Sequence, residues 1–242
     1  MARPTPPPAQ VAKLFYQLVR LARIVGPPGY YRRVWTPVIT LWHLIWQRLQ
    51  PHHTLEAVVT DARRGGGDRL CHKGKRLSRQ IKSPATTAYS DARQRLPLAW
   101  LYACFLQLAQ QLRGPADPGM AIEVLDGSTL RFRPQGDMAK AFPPPRTRAR
   151  KTYWCLGRVL VSFCARSGVA TRALIASLHQ SEQAMAVQLM LEALRHALYI
   201  GDHNFGVWRV VRAATQSGGH GLVRLTRVRA RRLLGKNGCP GF

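Results

Sequence analysis

The sequence predicts a mixed α+β and α/β chain. An all-helical, basic amino-terminal half comes first, followed by a unit whose elements run β-β-β-α-β-α-β. Three observations carry this reading. Apolar residues recur at helical spacing as far as Leu112, and the period changes to that of strands after a turn-rich stretch, Gly114-Pro115-Ala116-Asp117-Pro118-Gly119. Two short apolar runs each lead to an aspartate, Ile122-Glu123-Val124-Leu125-Asp126 and Ala197-Leu198-Tyr199-Ile200-Gly201-Asp202. Finally, 37 Lys+Arg stand against 11 Asp+Glu, a formal charge of +26.

The first half, residues 1–115, divides into helices at recognisable stops. Leu14, Leu18, Leu21 and Val25 share one helical face and end at Gly26-Pro27-Pro28-Gly29. A second helical run spans Trp35 to Leu49 and stops at Pro51; a third, capped by Thr54, runs to about Arg64 before Gly65-Gly66-Gly67. Arg69, Lys73, Lys75, Arg76, Arg79 and Lys82 follow in an exposed loop or short helix. Helical spacing resumes from Tyr89 to Arg95 and from Leu98 to Leu112.

In the second half, residues 116–242, Ile122 to Phe132 is strand-like, and a polar, Pro-rich excursion occupies Asp137 to Arg150. Strands are expected over Tyr153–Ala165 and Val169–Leu178. Ser181 caps a long helix with Glu182 in its first turn and apolar positions as far as Leu198. A short strand to Asp202, a helix from Phe205 to about Ala214, the Gly218-Gly219 turn and a strand from Leu222 to Thr226 complete the order. A three-strand meander followed by helical crossovers is the ribonuclease-H-like order, in which the first strand is central and the fourth lies beside it.

Composition narrows the function. A charge of +26 raises the local concentration of phosphate polyanions, so nucleic acid is the default partner. The basic residues are spread along the chain and not gathered on an amphipathic face, which argues against a membrane surface. Val34 to Leu49 comes nearest to a membrane span but is interrupted by His43, Gln47 and Arg48. No signal-peptide core follows Met1. The five cysteines form no CxxC pair, and Cys104, Cys155 and Cys164 sit in apolar runs, as expected of reduced core residues in a cytoplasmic protein.

A carboxylate closing an apolar strand is unusual unless the charge binds something. Either aspartate alone has turn chemistry, in Asp126-Gly127 and in Asp202-His203-Asn204. Together, at neighbouring strand ends, they suit Mg²⁺, which takes one or two carboxylates plus substrate oxygens. Two such ions can activate an attacking hydroxyl and stabilise the leaving oxygen. The carboxylates of Asp126 and Asp202 are then expected within roughly 4–8 Å of each other.

Leu125-Asp126-Gly127-Ser128-Thr129-Leu130, Gly201-Asp202-His203-Asn204-Phe205-Gly206 and Ala88-Tyr89-Ser90-Asp91-Ala92-Arg93 resemble bacterial insertion-sequence transposases of family four. Tyr153-Trp154-Cys155-Leu156 and His179-Gln180-Ser181-Glu182-Gln183-Ala184 add to the resemblance, which runs from about Trp42 to Leu234. It implies a DDE-type enzyme with a ribonuclease-H-like core and two Mg²⁺ ions, acting on double-stranded DNA at transposon ends as a homodimer. By the same resemblance, Asp126 is the first catalytic carboxylate and Asp202 the second. The chain departs from the family at His203, where arginine is common. It also lacks the signature of Tyr, two residues, Arg, three residues, Glu, six residues, Lys, since no tyrosine and no acid follows Asp202. The expectation is an amino-terminal, truncated or frameshifted transposase without its third carboxylate, inactive by itself. The alternative is a non-catalytic DNA-binding protein or an inhibitor of a full-length enzyme.

Other residues have plainer readings. Glu123 lies three residues from Asp126, on the opposite sheet face, and substitutes poorly for the missing acid. Glu182 reads as a partner of the helix dipole, and Asp91 with Arg93 as an intrahelical pair. Asp137 has a loop from which it can fold back. Trp35, Trp42, Trp46 and Trp100 fit helix packing better than base stacking. Arg69, Lys73, Lys75, Arg76, Arg79 and His203 are the candidate DNA contacts.

Overall fold

The computed structural model describes residues 8–21, 24–30, 33–51, 53–71, 75–114, 119–145, 153–193 and 196–234. The chain separates into two compact units, Met1–Gln111 and Leu112–Phe242, slightly ahead of the break expected at residues 115–116.

The first unit is helical: α1 Pro8–Leu21, α2 Pro37–Leu49, α3 Leu55–Arg63, a 3₁₀ turn Asp68–Leu70, α4 Leu77–Gln80, α5 Thr87–Gln94 and most of α6 Leu98–Arg113. Caps set the starts. Thr54 Oγ1 accepts from the Ala57 N–H at 3.1 Å, and Thr36 Oγ1 accepts from Ile39 N–H at 3.4 Å with Pro37 opening α2. Trp35, Ile39, Val58, Val59, Ala62, Leu77 and Tyr89 form the core. The tryptophans do the packing expected of them: Trp35 meets the Tyr89 ring at 4.8 Å, Trp42 meets Phe15 at 5.2 Å, and Trp100 Nε1 donates to the Val25 carbonyl.

The basic stretch is ordered by its neutral members. Leu77 is fully buried, and Asp68 accepts from both the backbone N–H and the hydroxyl of Ser78, at 3.1 and 2.6 Å. Arg69, Lys75, Arg76 and Arg79 stay exposed on this frame, while Lys73 lies outside the described residues.

One His–Asp pair in this unit is close but not hydrogen-bonded. His43 is fully buried and its Nδ1 lies 2.9 Å from the Ile39 carbonyl, which can only accept, so Nδ1 carries the hydrogen. Its other nitrogen, Nε2, then presents a lone pair to Asp61 Oδ2 at 3.7 Å, and neither atom has a hydrogen-bond partner. Burial pushes Asp61 up to about 6, against the lowering effect of Arg64, and pushes His43 down to about 4. Between those values the folded pair keeps its proton on Asp61, and the unfolded pair keeps it on the histidine.

The second unit contains β1 Ala121–Phe132, α7 Met138–Ala141, β2 Cys155–Cys164, β3 Ala170–Ser177, α8 Glu182–Ala193, β4 Ala197–Gly201, α9 Trp208–Gln216, β5 His220–Val223 and α10 Arg227–Leu234. The sheet order is β3-β2-β1-β4-β5, with β1–β2 and β2–β3 antiparallel and β1–β4 and β4–β5 parallel. At this coarse level the arrangement is consistent with a ribonuclease-H-like α/β fold. Helices α8 and α9 cover one face, where Leu125, Leu160, Met185, Leu189, Tyr199, Phe205 and Val210 form the core.

Beyond shifts of a residue or two at element ends, the sequence reading is corrected at these places. The long helix is described as far as Ala193, and Leu198 belongs to β4. Phe205 does not start a helix; it is buried in the loop before α9, which begins at Trp208. The last strand is His220–Val223, not 222–226, and α10 follows it unforeseen. A short helix, α7, interrupts the Pro-rich excursion, whose residues 146–150 lie outside the described residues. Cys104, Cys155 and Cys164 are free and buried, and among the described residues no helix is long and apolar enough to cross a membrane.

The His43–Asp61 pair makes a stability prediction. A carboxyl raised above its unfolded value contributes stability that is complete below about pH 4 and is lost as pH rises through about 6. Asp61→Asn supplies a permanent N–H donor to His43 Nε2. It is expected to stabilise the protein above pH 6 by roughly 1–3 kcal/mol and to do little at pH 5. Thermal melts of both proteins at pH 5 and pH 8 check this; an unchanged or lower Tm at pH 8 would refute it.

Candidate active site

The site begins with the register of two parallel strands. Ala121 pairs with Ala197 and each following couple stays level, ending with Val124 opposite Ile200. Asp126 and Asp202 each stand two residues beyond that last couple. Equal offsets in a parallel ladder keep residues level, and adjacent strands run about 4.8 Å apart. Both backbone positions thus follow the carboxyl end of the parallel β1–β4 pairing, a place where open α/β sheets bind ligands.

The surroundings of the two differ. Asp126 remains within β1, opposite Val161 of β2, and is exposed. Alternation puts it on the sheet face opposite the helical layer, together with Ile122, Ile175 and Leu222, which are themselves exposed. Asp202 opens a tight loop. Its Oδ1 accepts from the Asn204 N–H at 2.9 Å, an Asx-type turn, and its Oδ2 lies 3.7 Å from His203 Nδ1. Both Asp202 and His203 are more than half exposed, so this contact is a weak one.

Residues after Asp202 are held by partners distant in sequence. Asn204 donates its side-chain amide to Glu182 Oε2 and accepts from Gln183 Nε2 at both its carbonyl and its Oδ1. Arg229 Nη1 donates to the carbonyls of His203 and Gly206, at 2.7 and 3.1 Å. Arg209 reaches Ser181 Oγ and Gln183 Oε1 at 2.9 and 2.8 Å. Phe205 fills the space over Gly201, where any Cβ would collide with its ring. The loop is thus clamped from two helices, α8 and α10, and plugged from below.

Glu182 has a larger part here than a helix-dipole partner. Its carboxylate lies over Gly127, the neighbour of Asp126, so closely that a Cβ at Gly127 would stand 2.9 Å from Glu182 Cδ. The same carboxylate faces Arg158 at 3.8 Å. Glu182 thereby ties the loop of one aspartate to the strand of the other while remaining on the helical side of the sheet. Its place as the first residue of α8 was legible; Asn204, Arg158, Arg209 and Arg229 carried no local signal, because their partners lie 22 to 28 residues away or across the sheet.

The remaining candidates sort plainly. Glu123 faces the helical side, as alternation requires, and is buried with Ser162 and Thr171. Asp137 does not fold back: it is 93% exposed and pairs with Lys140. Among the described residues no three His, Cys, Asp or Glu side chains gather in a group able to hold a metal ion. Arg69, Lys75, Arg76 and Arg79 all belong to the helical unit.

No family model matches the chain, and no curated protein matches it. Among solved structures it is similar to a piggyBac transposase, seen in a synaptic complex with hairpin DNA, at 11% identity and a TM-score of 0.39. That similarity covers 96% of this chain and 54% of the other, so the chain spans about half the length of that transposase. A likeness of this size settles no point of function.

The crowding at Gly127 can be tested. Gly127→Ala is expected to cost about 1–3 kcal/mol by forcing Glu182 off Asn204, and to speed amide exchange across residues 202–206. Adding Glu182→Ala should recover part of the loss. Additive effects in urea denaturation would disprove the contact.

Proposed function

We propose that the chain binds duplex DNA and presents a phosphodiester to the Asp126–Asp202 edge, as a DNA phosphoryl-transfer protein of the transposase type. The observation that supports this most is the parallel β1–β4 register, which ends two residues before each of two exposed aspartates, in a chain of charge +26. The motif resemblance to insertion-sequence transposases of family four points the same way, and with it go action at transposon ends and a homodimeric assembly.

Mg²⁺ suits the donors at this edge, which are carboxylate oxygens with room for phosphate and water. Asp126 and the outer oxygen of Asp202 are the groups that would hold it. When bound, such ions stabilise the charge of the attacking and leaving oxygens. The chain's own residues do the rest. Glu182, Asn204 and Arg229 hold the Asp202 loop still, so the two carboxylates approach a phosphate at constant separation. His203 stands at the rim of the loop, where it can reach a phosphate oxygen in its protonated form.

One observation favours a second reading, DNA binding without chemistry. Glu182, the acid that lies over Gly127 beside Asp126, is occupied by Asn204 and Arg158. Two carboxylates alone hold two Mg²⁺ ions poorly, because Mg²⁺ demands near-ideal octahedral geometry. A protein of this kind would compete for DNA ends with an intact enzyme.

Two measurements separate the readings. Replacing Arg69, Lys73, Lys75, Arg76 and Arg79 by alanine should weaken duplex binding on every sequence and reduce the salt slope by about 0.9 per lost phosphate contact. Unchanged binding would move the DNA surface elsewhere. In nicking assays the chain should leave DNA intact with Mg²⁺ and show at most a trace of cleavage with Mn²⁺, abolished by Asp126→Ala or Asp202→Ala. Robust Mg²⁺-dependent cleavage lost in Asp126→Ala would establish the enzyme reading and require a further ligand.

A further inference from the structure

The sheet of the second unit ends in two outer strands, β3 and β5, and only one of them is blunted. An edge strand presents unpaired N–H and C=O groups, and proteins keep such edges single by making them short, charged, bulged or proline-bearing. β5 is only four residues long, His220–Val223. β3 runs for eight, Ala170–Ser177. Its one irregularity, a register shift between Ser162 and Phe163 of β2, and its one charged residue, Arg172, both fall in its first half. From Ala173 to Ser177 the ladder is regular, level with Val161 to Gly157, and carries no charge, proline or glycine.

A neutral edge of this length stands out in a chain with 37 Lys+Arg. Among the described residues, no backbone hydrogen bond reaches Ala173, Leu174, Ile175 or Ala176 from outside the sheet. In an antiparallel edge strand alternate residues turn their N–H and C=O away from the neighbour, so this stretch offers a ladder to a further strand. Its side chains suit one as well. Leu174 and Ala176 pack against the helical core, whereas Ile175, level with Val159 on the open face, is 58% exposed.

We infer that β3 pairs antiparallel with β3 of a second copy of this chain, about a two-fold axis perpendicular to the sheet, joining two five-stranded sheets into one. Two features select a second copy over a foreign strand. The contact is isologous, so it pairs both exposed edges at once and leaves no open β3 to recruit more chains. It also avoids opposed charge. Alternation lets only residues of the same face meet, so a two-fold at Leu174 sets Arg172 opposite Ala176 of the second copy, and one at Ile175 sets it opposite Leu178. In both registers no cations face each other across the seam of a protein of charge +26. An acidic partner strand, which the overall charge would draw, finds no cation along Ala173–Ser177 to neutralise it. The inference deepens the homodimeric part of the proposed function by naming its interface. Its test uses neither DNA nor metal, so its failure leaves the Asp126–Asp202 reading untouched.

The full chain is followed by sedimentation equilibrium and by amide exchange through a dilution series in EDTA, at low and at high salt. A single strand pair buries less than the ~1,600 Å² of a standard interface, so dimers should form only at micromolar concentrations and above. The amides of Ala173–Ala176 should exchange more slowly as the mass rises. Added salt should strengthen the dimer, because it screens the repulsion between two cationic chains. Ile175→Lys puts an ammonium at the seam and should lower the association constant about tenfold or more at unchanged Tm. Ile175→Val should pair like the parent, and Ala173→Lys, on the same face, replaces Ile175→Lys if that variant fails to fold. A chain that stays monomeric at high salt would overturn the inference. So would a dimer that salt dissolves, that leaves the Ala173–Ala176 amides unprotected, or that survives the lysine variant.

Discussion

The second unit depends on where a single carboxylate can be buried. Glu123 is 2% exposed in the middle of β1. An ionised carboxyl in such a place is tolerated only with several donors around it. Ser162 of β2 donates at 2.7 Å, Thr171 of β3 at 2.5 Å, and Arg113 at the end of α6 lies 3.2 Å away. These partners come from three elements, and they meet at one register of β1 alone. A slip of one residue would turn Glu123 to the open face and Asp126 into the apolar layer beneath α8, which is doubly unfavourable. The register that puts Asp126 on the open face is therefore tied to the burial of Glu123.

Acids are scarce in this chain, 11 against 37 bases, and several are committed to structure. Asp61 faces His43, Asp68 clasps Ser78, Glu123 anchors the sheet, and Glu182 ties the Asp202 loop to β1. Asp126 and Asp202 differ in being exposed at an edge, which keeps their outer oxygens available to a ligand.

The loop from Asp202 to Val207 shows how a short polar segment is made rigid. Its own turns supply three backbone bonds: Phe205 N–H to Asp202, Gly206 N–H to His203 and Val207 N–H to Phe205. Phe205 plugs it into the core, and Arg229 and Gln183 clamp its carbonyls. A functional group on such a loop needs no ordering at the moment of binding, and that lost entropy is otherwise a large cost.

Much of this was legible along the chain. Period, caps and breakers marked the helices of the first unit and the strand order of the second, because these depend on neighbours within one turn or one pleat. The pairing of two apolar runs with two aspartates pointed to the edge, and strand alternation alone excluded Glu123 from it. What the chain could not reveal involves partners far apart in sequence. Glu182 read as a helix start, because its reach to Gly127 and Asn204 exists only once α8 lies across the sheet. Phe205 read as helical, since its apolar character is the same in a helix as in a buried plug. The strand over Ala170–Ser177 read like its neighbours, because an edge position is decided by the order in which strands pair. Local physics along the chain determined the elements and named the aspartates. Only the tertiary arrangement decided the register, the clamps and the surface around them, because burial is a property of the assembled layers.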